Sequence, residues 1–142
     1  MIVEYSQEND EYFIKERIDN QTIKMVFQMC DWTEDTIYFN VYLTLYNKRN
    51  QIETNETLIK STGTNPLTSF FVARKAFKLL LYKVLDEYSY KYDIIVFCTW
   101  LDNRRRDAYY KYLSTKGYRY GRIDREKCIF KRYKKGIETY EI

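Results

Sequence analysis

Residues 61–121, STGTNPLTSFFVARKAFKLLLYKVLDEYSYKYDIIVFCTWLDNRRRDAYYKYLSTKGYRYG, decide the fold of this 142-residue chain. Asn65 is a good helix N-cap, and Pro66 suits the first helical position, where its missing N–H is not needed. Apolar residues then recur at helical spacing, namely Ala73, Phe77, Leu80, Leu81, Val84 and Tyr88. This pattern predicts an amphipathic helix of about five turns.

A buried strand and a second helix follow. Residues 93–100, DIIVFCTW, are almost continuously apolar, which is typical of a central strand covered on both faces. Asp102 or Asn103 can cap the next helix, and Gly117 suits its left-handed end. The predicted buried stripe of this helix consists of Ala108, Tyr109, Tyr112 and Leu113.

Strands precede the first helix and follow the second. Alternating apolar residues predict an antiparallel meander of four strands, at residues 12–19, 23–32, 36–47 and 52–61. Residues 118–123 and 128–133 predict a closing hairpin around Asp124-Arg125-Glu126. The predicted fold class is α/β of the α+β type, with a mixed, mostly antiparallel sheet, two main helices and the order β-β-β-β-α-β-α-β-β. No repeat or low-complexity linker interrupts this order, so residues 1–142 are predicted to form a single domain.

Composition narrows the class of protein. Apolar residues make up 45% and charged residues 31%, as in globular domains. No apolar run approaches the ~18 residues of a transmembrane helix, and the acidic start, MIVEYSQENDEY, is unlike a secretory signal. The three cysteines are an odd number without CxxC spacing, which indicates neither a disulfide framework nor a zinc site. Cys98 and Cys128 fall in apolar strands and are predicted to be buried, reduced thiols, so we expect a cytoplasmic protein without membrane contact.

Histidine is absent from the chain. Its absence excludes Ser-His-Asp and Cys-His nucleophilic pairs and every His-ligated metal site. Acid–base chemistry would have to use carboxylates, Tyr, Cys, Lys or a bound water. We therefore expect no metal cofactor.

Charge is unevenly divided along the chain. Residues 1–70 contain six Lys or Arg against 11 Asp or Glu, whereas residues 71–142 contain 18 against nine. The first half thus carries a net charge of −5 and the second half +9. A basic half attracts phosphate-bearing cofactors, nucleic acid or an acidic protein partner.

The element order and residues 61–121 resemble the GNAT acetyltransferase family, in particular acetyltransferase-like proteins of bacteriophages. The matching motifs are a Thr-Gly loop that opens a long helix (Thr62-Gly63), an Arg-x-x-x-Tyr helix (Arg106 to Tyr110) and a Gly-aromatic pair (Gly117-Tyr118). The resemblance implies a GNAT-like fold that binds acetyl-coenzyme A (acetyl-CoA) and transfers the acetyl group to an amine. Two features depart from the family: only Gly63 remains of its glycine signature, and no pair of acceptor-binding helices fits between the first two strands.

A cofactor site is predicted where the fourth strand leads into the first helix. Backbone N–H groups and the helix dipole meet there and favour an anion such as a pyrophosphate, which Gly63 would allow close to the backbone. The alternative is a plain turn with a good cap. The predicted cofactor-binding residues of this loop are Thr62, Gly63, Thr64 and Asn65. The resemblance adds Cys98 and Thr99, whose backbone groups would hold the pantetheine arm.

The candidate catalytic residues are a tyrosine and two carboxylates. The resemblance implies that Tyr110 protonates the departing thiolate, although in a chain with 16 Tyr a packing role is the alternative. Glu53 and Glu56 are the candidate general bases, with a solvated carboxylate as the alternative for each. Cys98 is not expected to be a nucleophile, because a buried thiol without a basic neighbour keeps a high pKa.

Two non-enzymatic functions remain open. The first is a binding module on the same fold that engages a host protein, a virion component or a nucleotide-like ligand. The second is nucleic-acid binding through the basic tract at residues 116–135, KGYRYGRIDREKCIFKRYKK, together with Arg104, Arg105 and Arg106. A charged hairpin that keeps an edge strand from pairing is the alternative for that tract. An exposed edge strand and a Tyr-rich sheet are also compatible with a homodimer.

Overall fold

The structure is a computed structural model that describes residues 1–18, 21–46, 52–55 and 66–138, with the backbone alone for 52–55 and 66–69. The strands of this part of the chain are β1 (Glu4–Ser6), β2 (Glu11–Ile18), β3 (Gln21–Trp32), β4 (Thr36–Tyr46), β5 (Ile52–Asn55), β6 (Asp93–Cys98), β7 (Arg119–Ile123) and β8 (Glu126–Tyr133). The α-helices are α1 (Pro66–Tyr88) and α2 (Asn103–Leu113). Neither described helix combines the length and the apolarity needed to cross a membrane.

The strands pair in the order β1-β2-β3-β4-β6-β8-β7, and β5 pairs with β4. The β4–β6 pair is parallel, whereas the other pairs with a described register are antiparallel. The predicted mixed, mostly antiparallel sheet with two main helices is therefore confirmed. Strands β2 to β5 correspond to the predicted meander. Strand β1 was not predicted, because its three residues are too few to produce a periodic signal.

Several element boundaries differ from the predicted ones. Helix α1 begins at Pro66 as predicted, but its 23 residues exceed the ~18 of five turns. Strand β6 ends at Cys98, two residues before the predicted end. Asp102 is the N-cap of α2, because its side chain accepts a hydrogen bond of 2.9 Å from the Arg105 backbone N–H. Helix α2 ends at Leu113, and a 3-10 turn continues to Gly117, which has the predicted left-handed conformation with φ 88°.

Contacts between residues divide the chain into two compact units. The first unit contains residues 1–28 and 42–83, and the second contains residues 29–41 and 84–142. Strands β3 and β4 and helix α1 contribute residues to both units. The single domain inferred from the sequence stays a prediction.

The core of the first unit lies among β2, β3 and α1. Phe27 of β3 is fully buried, and its ring lies 5.4 Å from the ring of Phe77 in α1. The side chains that α1 buries in this unit include the predicted Ala73, Phe77, Leu80 and Leu81. Each fully buried Leu or Phe stabilises the fold by about 1.5–3 kcal/mol, so these contacts hold α1 on the strands.

A buried polar network also lies in the first unit. Glu11, in β2, is only 3% exposed. It accepts hydrogen bonds from Lys24 Nζ at 3.0 Å and from the Tyr42 hydroxyl at 3.2 Å. Burial, together with the adjacent Glu11 charge, raises the pKa of Tyr42 to about 12. Tyr42 thus remains a protonated donor to the carboxylate at neutral pH.

The core of the second unit is formed by β4, β6 and β8, whose fully buried residues include Phe39, Ile37, Ile94, Val96 and Ile129. Tyr133 of β8 is 1% exposed, and its hydroxyl lies 2.9 Å from that of Tyr118, so each phenol has a partner. The predicted buried stripe of α2 is largely wrong. Leu113 is buried, but Ala108, Tyr109 and Tyr112 are only half-buried. For the two tyrosines the reason is that a phenol can bury its ring while its hydroxyl reaches water. Tyr88 of α1 is likewise half-buried.

Asp93 links the start of β6 to the end of β8 through hydrogen bonds. Its carboxylate accepts hydrogen bonds of 2.8 Å from Arg132 Nη1 and from the Lys135 backbone N–H. The Lys135 N–H and the Arg132 guanidinium lower the pKa of the Asp93 carboxyl, against a smaller opposing effect of burial. A lowered pKa means that the folded state favours the ionised carboxylate.

We expect Asp93→Asn to reduce the free energy of unfolding at pH 7 by about 1 kcal/mol, since both charged partners are partly in solvent. Because the folded pKa is lowered, the stabilisation is fully present above the unfolded pKa of ~3.9 and is lost as pH falls through the folded value. Urea unfolding of both proteins at pH 7, 5 and 3 should give equal differences at the two higher values and a smaller one at pH 3. A difference independent of pH would contradict the charge-based role.

Candidate functional site

The parallel pair β4–β6 stops inside the sheet. Its register runs from Thr36 opposite Asp93 to Asn40 opposite Phe97. Strand β6 ends one residue later, at Cys98, while β4 continues to Tyr46. The described pairing between the two strands is thus short and ends at Asn40.

One polar atom is left without a partner at the end of this ladder. The Oδ1 atom of Asn40 is buried and accepts no hydrogen bond from any described residue. Cys98, one residue beyond the last described β4–β6 pair, lies opposite Ile129 of β8. A polar atom that stays unpaired away from water carries a free-energy cost of about 1–3 kcal/mol. This end of the ladder can therefore offer a hydrogen-bond acceptor to a polar ligand.

The predicted pantetheine-binding residues lie at this place. Cys98 is buried, at 9% exposure, and Thr99 follows β6 as a half-buried residue. The predicted role belongs to their backbone groups, not to the Cys98 thiol, and it stays a prediction.

The predicted pyrophosphate loop and one candidate base lie outside the described residues. These are Thr62, Gly63, Thr64, Asn65 and Glu56. Glu53 lies in β5, of which the backbone is described. Strand β5 pairs antiparallel with β4 at Thr44–Tyr46. The predicted roles of the loop residues and of the two glutamates stay predictions.

Tyr110, the predicted acid, lies on α2 and is half-buried. Its ring stacks on that of Tyr120, with centroids 4.2 Å apart and planes inclined by 12°. No described residue forms a side-chain hydrogen bond with its hydroxyl. The stacking fixes the ring, and the hydroxyl remains available to a ligand.

Tyr120 and Tyr110 belong to a larger arrangement on the second unit. Trp100 meets Tyr120 edge-on, with ring centroids 5.9 Å apart. An open pocket of about 500 Å³ lies beside these rings, lined by Trp100, Arg106, Tyr120, Gly121, Arg122, Lys127 and Cys128. We call it the aromatic–basic pocket. Its volume is within the usual range for small-molecule sites.

The cations of the aromatic–basic pocket are poorly neutralised. Arg106 pairs with its neighbour Asp107 at 2.9 Å. Arg122 donates only to the Arg125 carbonyl, at 3.2 Å, and Lys127 forms no ion pair within the described chain. Arg122 and Lys127 also lie directly opposite each other in the β7–β8 ladder. Like charges in such positions repel each other and destabilise the pair, so an anion would be attracted here.

Only part of this pocket was predictable from the sequence. Interleaved aromatic and basic residues identified the tract at residues 116–135, together with Arg106. The sequence predicts Trp100 as the end of a buried strand, whereas β6 ends at Cys98 and the indole of Trp100 lies beside Tyr120. A tryptophan just after an apolar strand and just before an Arg-rich helix was the available clue.

The thiols are unfavourable nucleophiles. None of the three cysteines, all of them described residues, forms a disulfide, and Cys98 and Cys128 are buried as predicted, whereas Cys30 is exposed. Burial raises the pKa of Cys128, and burial together with Asp31 raises that of Cys30. A raised pKa leaves little thiolate at neutral pH.

The described residues contain no group of three or more Cys, Asp or Glu side chains placed to hold a metal ion. Comparison with protein-family models, with curated proteins and with solved structures gave no match to this chain.

Proposed function

We propose that this protein is a GNAT-like protein, of the kind found in bacteriophages, that binds acetyl-CoA in the cytoplasm and transfers the acetyl group to an amine. The observation that carries the proposal is the interrupted β4–β6 ladder. A parallel pair within a mostly antiparallel sheet stops at Asn40, whose buried Oδ1 atom has no hydrogen-bond partner among the described residues, while β6 extends to Cys98.

The pantetheine arm of coenzyme A suits this ladder end. It carries two amide groups, each with one donor and one acceptor, and can continue a strand ladder as a peptide does. The backbone of Cys98 and Thr99 would pair with these amides. The buried Asn40 amide, whose Oδ1 has no partner among the described residues, would accept a further hydrogen bond.

The pyrophosphate would bind at the start of α1. This helix begins at Pro66 and has 23 residues, which is long enough for a full dipole at its N-terminus. Thr62, Gly63, Thr64 and Asn65 precede it directly and would supply backbone N–H groups to the phosphates.

Acetyl transfer would then need one proton removed and one supplied. Glu53, Glu56 or a bound water would take the proton from the amine, which attacks the thioester carbonyl and forms the amide bond. Tyr110 would protonate the departing thiolate, since phenols and thiols in water are similar in acidity. The Tyr120 stack would hold the Tyr110 ring in place during that step.

Acetyl-CoA should raise the melting temperature of the protein. At 100 times the dissociation constant, binding adds about 2.7 kcal/mol to stability, which corresponds to a rise of several degrees for a chain of this size. Differential scanning fluorimetry with acetyl-CoA, and with ATP as a phosphate-bearing control, measures the effect. A melting temperature that stays constant up to millimolar acetyl-CoA would contradict the proposal.

A single variant separates binding from catalysis. Tyr110→Phe retains the ring stacked on Tyr120 and removes only the hydroxyl. We expect the acetyl-CoA shift to persist and acetylation of a panel of amines to fall by about 10²–10⁴-fold. Tyr109→Phe, on the same helix, is the matched control and should leave the rate unchanged.

A further inference from the structure

We propose that the aromatic–basic pocket binds single-stranded nucleic acid, with a base stacked against Trp100 or Tyr120 and the phosphate backbone held by Arg122 and Lys127. This function is separate from acetyl-CoA binding. It rests on side chains of α2, β7 and β8 and of the turn after β6, all within the second unit.

The aromatic side of the pocket is exposed and already oriented. Tyr120 is 45% exposed, so part of its ring is accessible to a ligand. Its orientation is set by the Tyr110 stack and by the edge of Trp100. Rings held in this way bind a base with little loss of conformational entropy, and every base has a face that can stack.

The basic side of the pocket attracts a backbone of phosphates. Arg122 and Lys127 repel each other across the β7–β8 ladder, and no described carboxylate forms an ion pair with either of them. A phosphate placed against both would remove that repulsion. Arg106 adds a third cation at the α2 side of the same pocket.

Single-stranded nucleic acid fits these features better than an acidic peptide, a free nucleotide or a duplex does. An acidic peptide would engage the cations but has no planar base for the rings. A free nucleotide would stack but has fewer phosphates than a strand has, for a pocket with three cations, Arg106, Arg122 and Lys127. A duplex keeps its bases stacked inside the helix, where Trp100 and Tyr120 cannot reach them.

Fluorescence anisotropy with a labelled 12-nucleotide oligo(U) or oligo(dT) tests the proposal at several salt concentrations. We expect binding that weakens as salt rises, and weaker binding of the matching duplex, of UMP and of poly-glutamate. Duplex or poly-glutamate bound as tightly as the oligonucleotide would overturn the proposal. UMP bound as tightly would show a mononucleotide site and overturn it as well.

Variants assign the binding to this pocket. Arg122→Gln with Lys127→Gln should weaken binding at least tenfold and reduce the slope of log K against log salt by about 1–2. This double variant removes a like-charge pair, so its fold should be intact, which its melting temperature checks. Tyr120→Ala should weaken binding about 5- to 150-fold with an unchanged salt slope.

The matched control is Lys75→Gln with Lys91→Gln, which removes two exposed cations outside the pocket. It should change affinity much less than the Arg122/Lys127 pair does. Equal losses in the two double variants would indicate general charge attraction and reject the pocket. The acetyl-CoA melting shift of the Arg122/Lys127 variant should match that of the wild type, so that failure of either proposal is recognised separately.

Discussion

Lys24→Met is expected to lower the free energy of unfolding by about 3–5 kcal/mol, the cost of leaving one partner of a buried ion pair uncompensated. Lys24 Nζ lies 3.0 Å from the Glu11 carboxylate, whose side chain is 4% exposed. Without Lys24, the Tyr42 hydroxyl is the one described side-chain donor left to this carboxylate. A phenol cannot balance a full charge away from water. Urea unfolding at pH 7 measures the change.

Lys15→Met is the matched control for this variant. Lys15 lies directly opposite Lys24 in the β2–β3 ladder, and both ammonium groups lie over the Phe13 ring. Lys15 is exposed, however, and forms no ion pair with the described residues. Its replacement should change stability by no more than about 0.5 kcal/mol. Similar effects of the two substitutions would show that the Glu11–Lys24 pair has no special role.

A double variant separates charge burial from packing. In Glu11→Gln with Lys24→Met, the neutral amide still offers an oxygen to the Tyr42 hydroxyl and no longer needs a cation. We expect this protein to recover most of the stability lost in Lys24→Met, with a coupling energy of about 1–3 kcal/mol in the double-mutant cycle. No recovery would indicate that the Lys24 stem, and not its charge, stabilises the sheet.

The burial of Glu11 could not be predicted from the sequence. Glu11 lies near the acidic, polar start of the chain, a position typical of a solvated residue. Its burial depends on Lys24, 13 residues away, and on Tyr42, 31 residues away. Those neighbours are brought to it by the pairing and register of β2, β3 and β4, which no local pattern specifies. Buried polar groups of this kind are set by topology.

The elements themselves were predictable where a periodic signal was long. Helix α1 was located by its apolar spacing and by Pro66, and β6 by a continuous apolar run. The sheet order was not predictable, because β8 lies between β6 and β7 and so reverses the chain order at that edge. For the same reason the candidate site was found only in part: Trp100 and Tyr120 are 20 positions apart and meet through the β6–β8–β7 pairing.

The tyrosines of α2 make its buried residues difficult to predict from the sequence. Tyr109 and Tyr112 fall at helical spacing with Leu113, and counting each as apolar predicted a buried stripe. Both residues are only half-buried, so the buried stripe is narrower than the spacing suggests. In a chain with 16 Tyr, helical periodicity locates a helix more reliably than it identifies its core residues.

Gly121→Ala is expected to destabilise the second unit by about 1–3 kcal/mol, the usual cost of forcing an extra carbon into a packed position. A Cβ at Gly121 would lie 2.2 Å from Cε1 and 2.9 Å from Cδ1 of the Phe130 ring. Carbon atoms in contact normally stay about 3.5–4.0 Å apart, so the ring would have to move. Thermal and urea unfolding measure the loss, and stability equal to that of the wild type would refute the close contact.

Phe130→Leu should rescue this variant in part, because the smaller side chain leaves room for the new methyl group. Gly136→Ala is the contrasting control. A Cβ there meets nothing within 4 Å, but the residue has φ 81°, so its cost of about 1 kcal/mol is conformational and Phe130→Leu should not relieve it. Gly121 also lines the aromatic–basic pocket, and a displaced Phe130 ring should weaken oligonucleotide binding there. Gly136→Ala, which is outside the pocket, should leave that affinity unchanged.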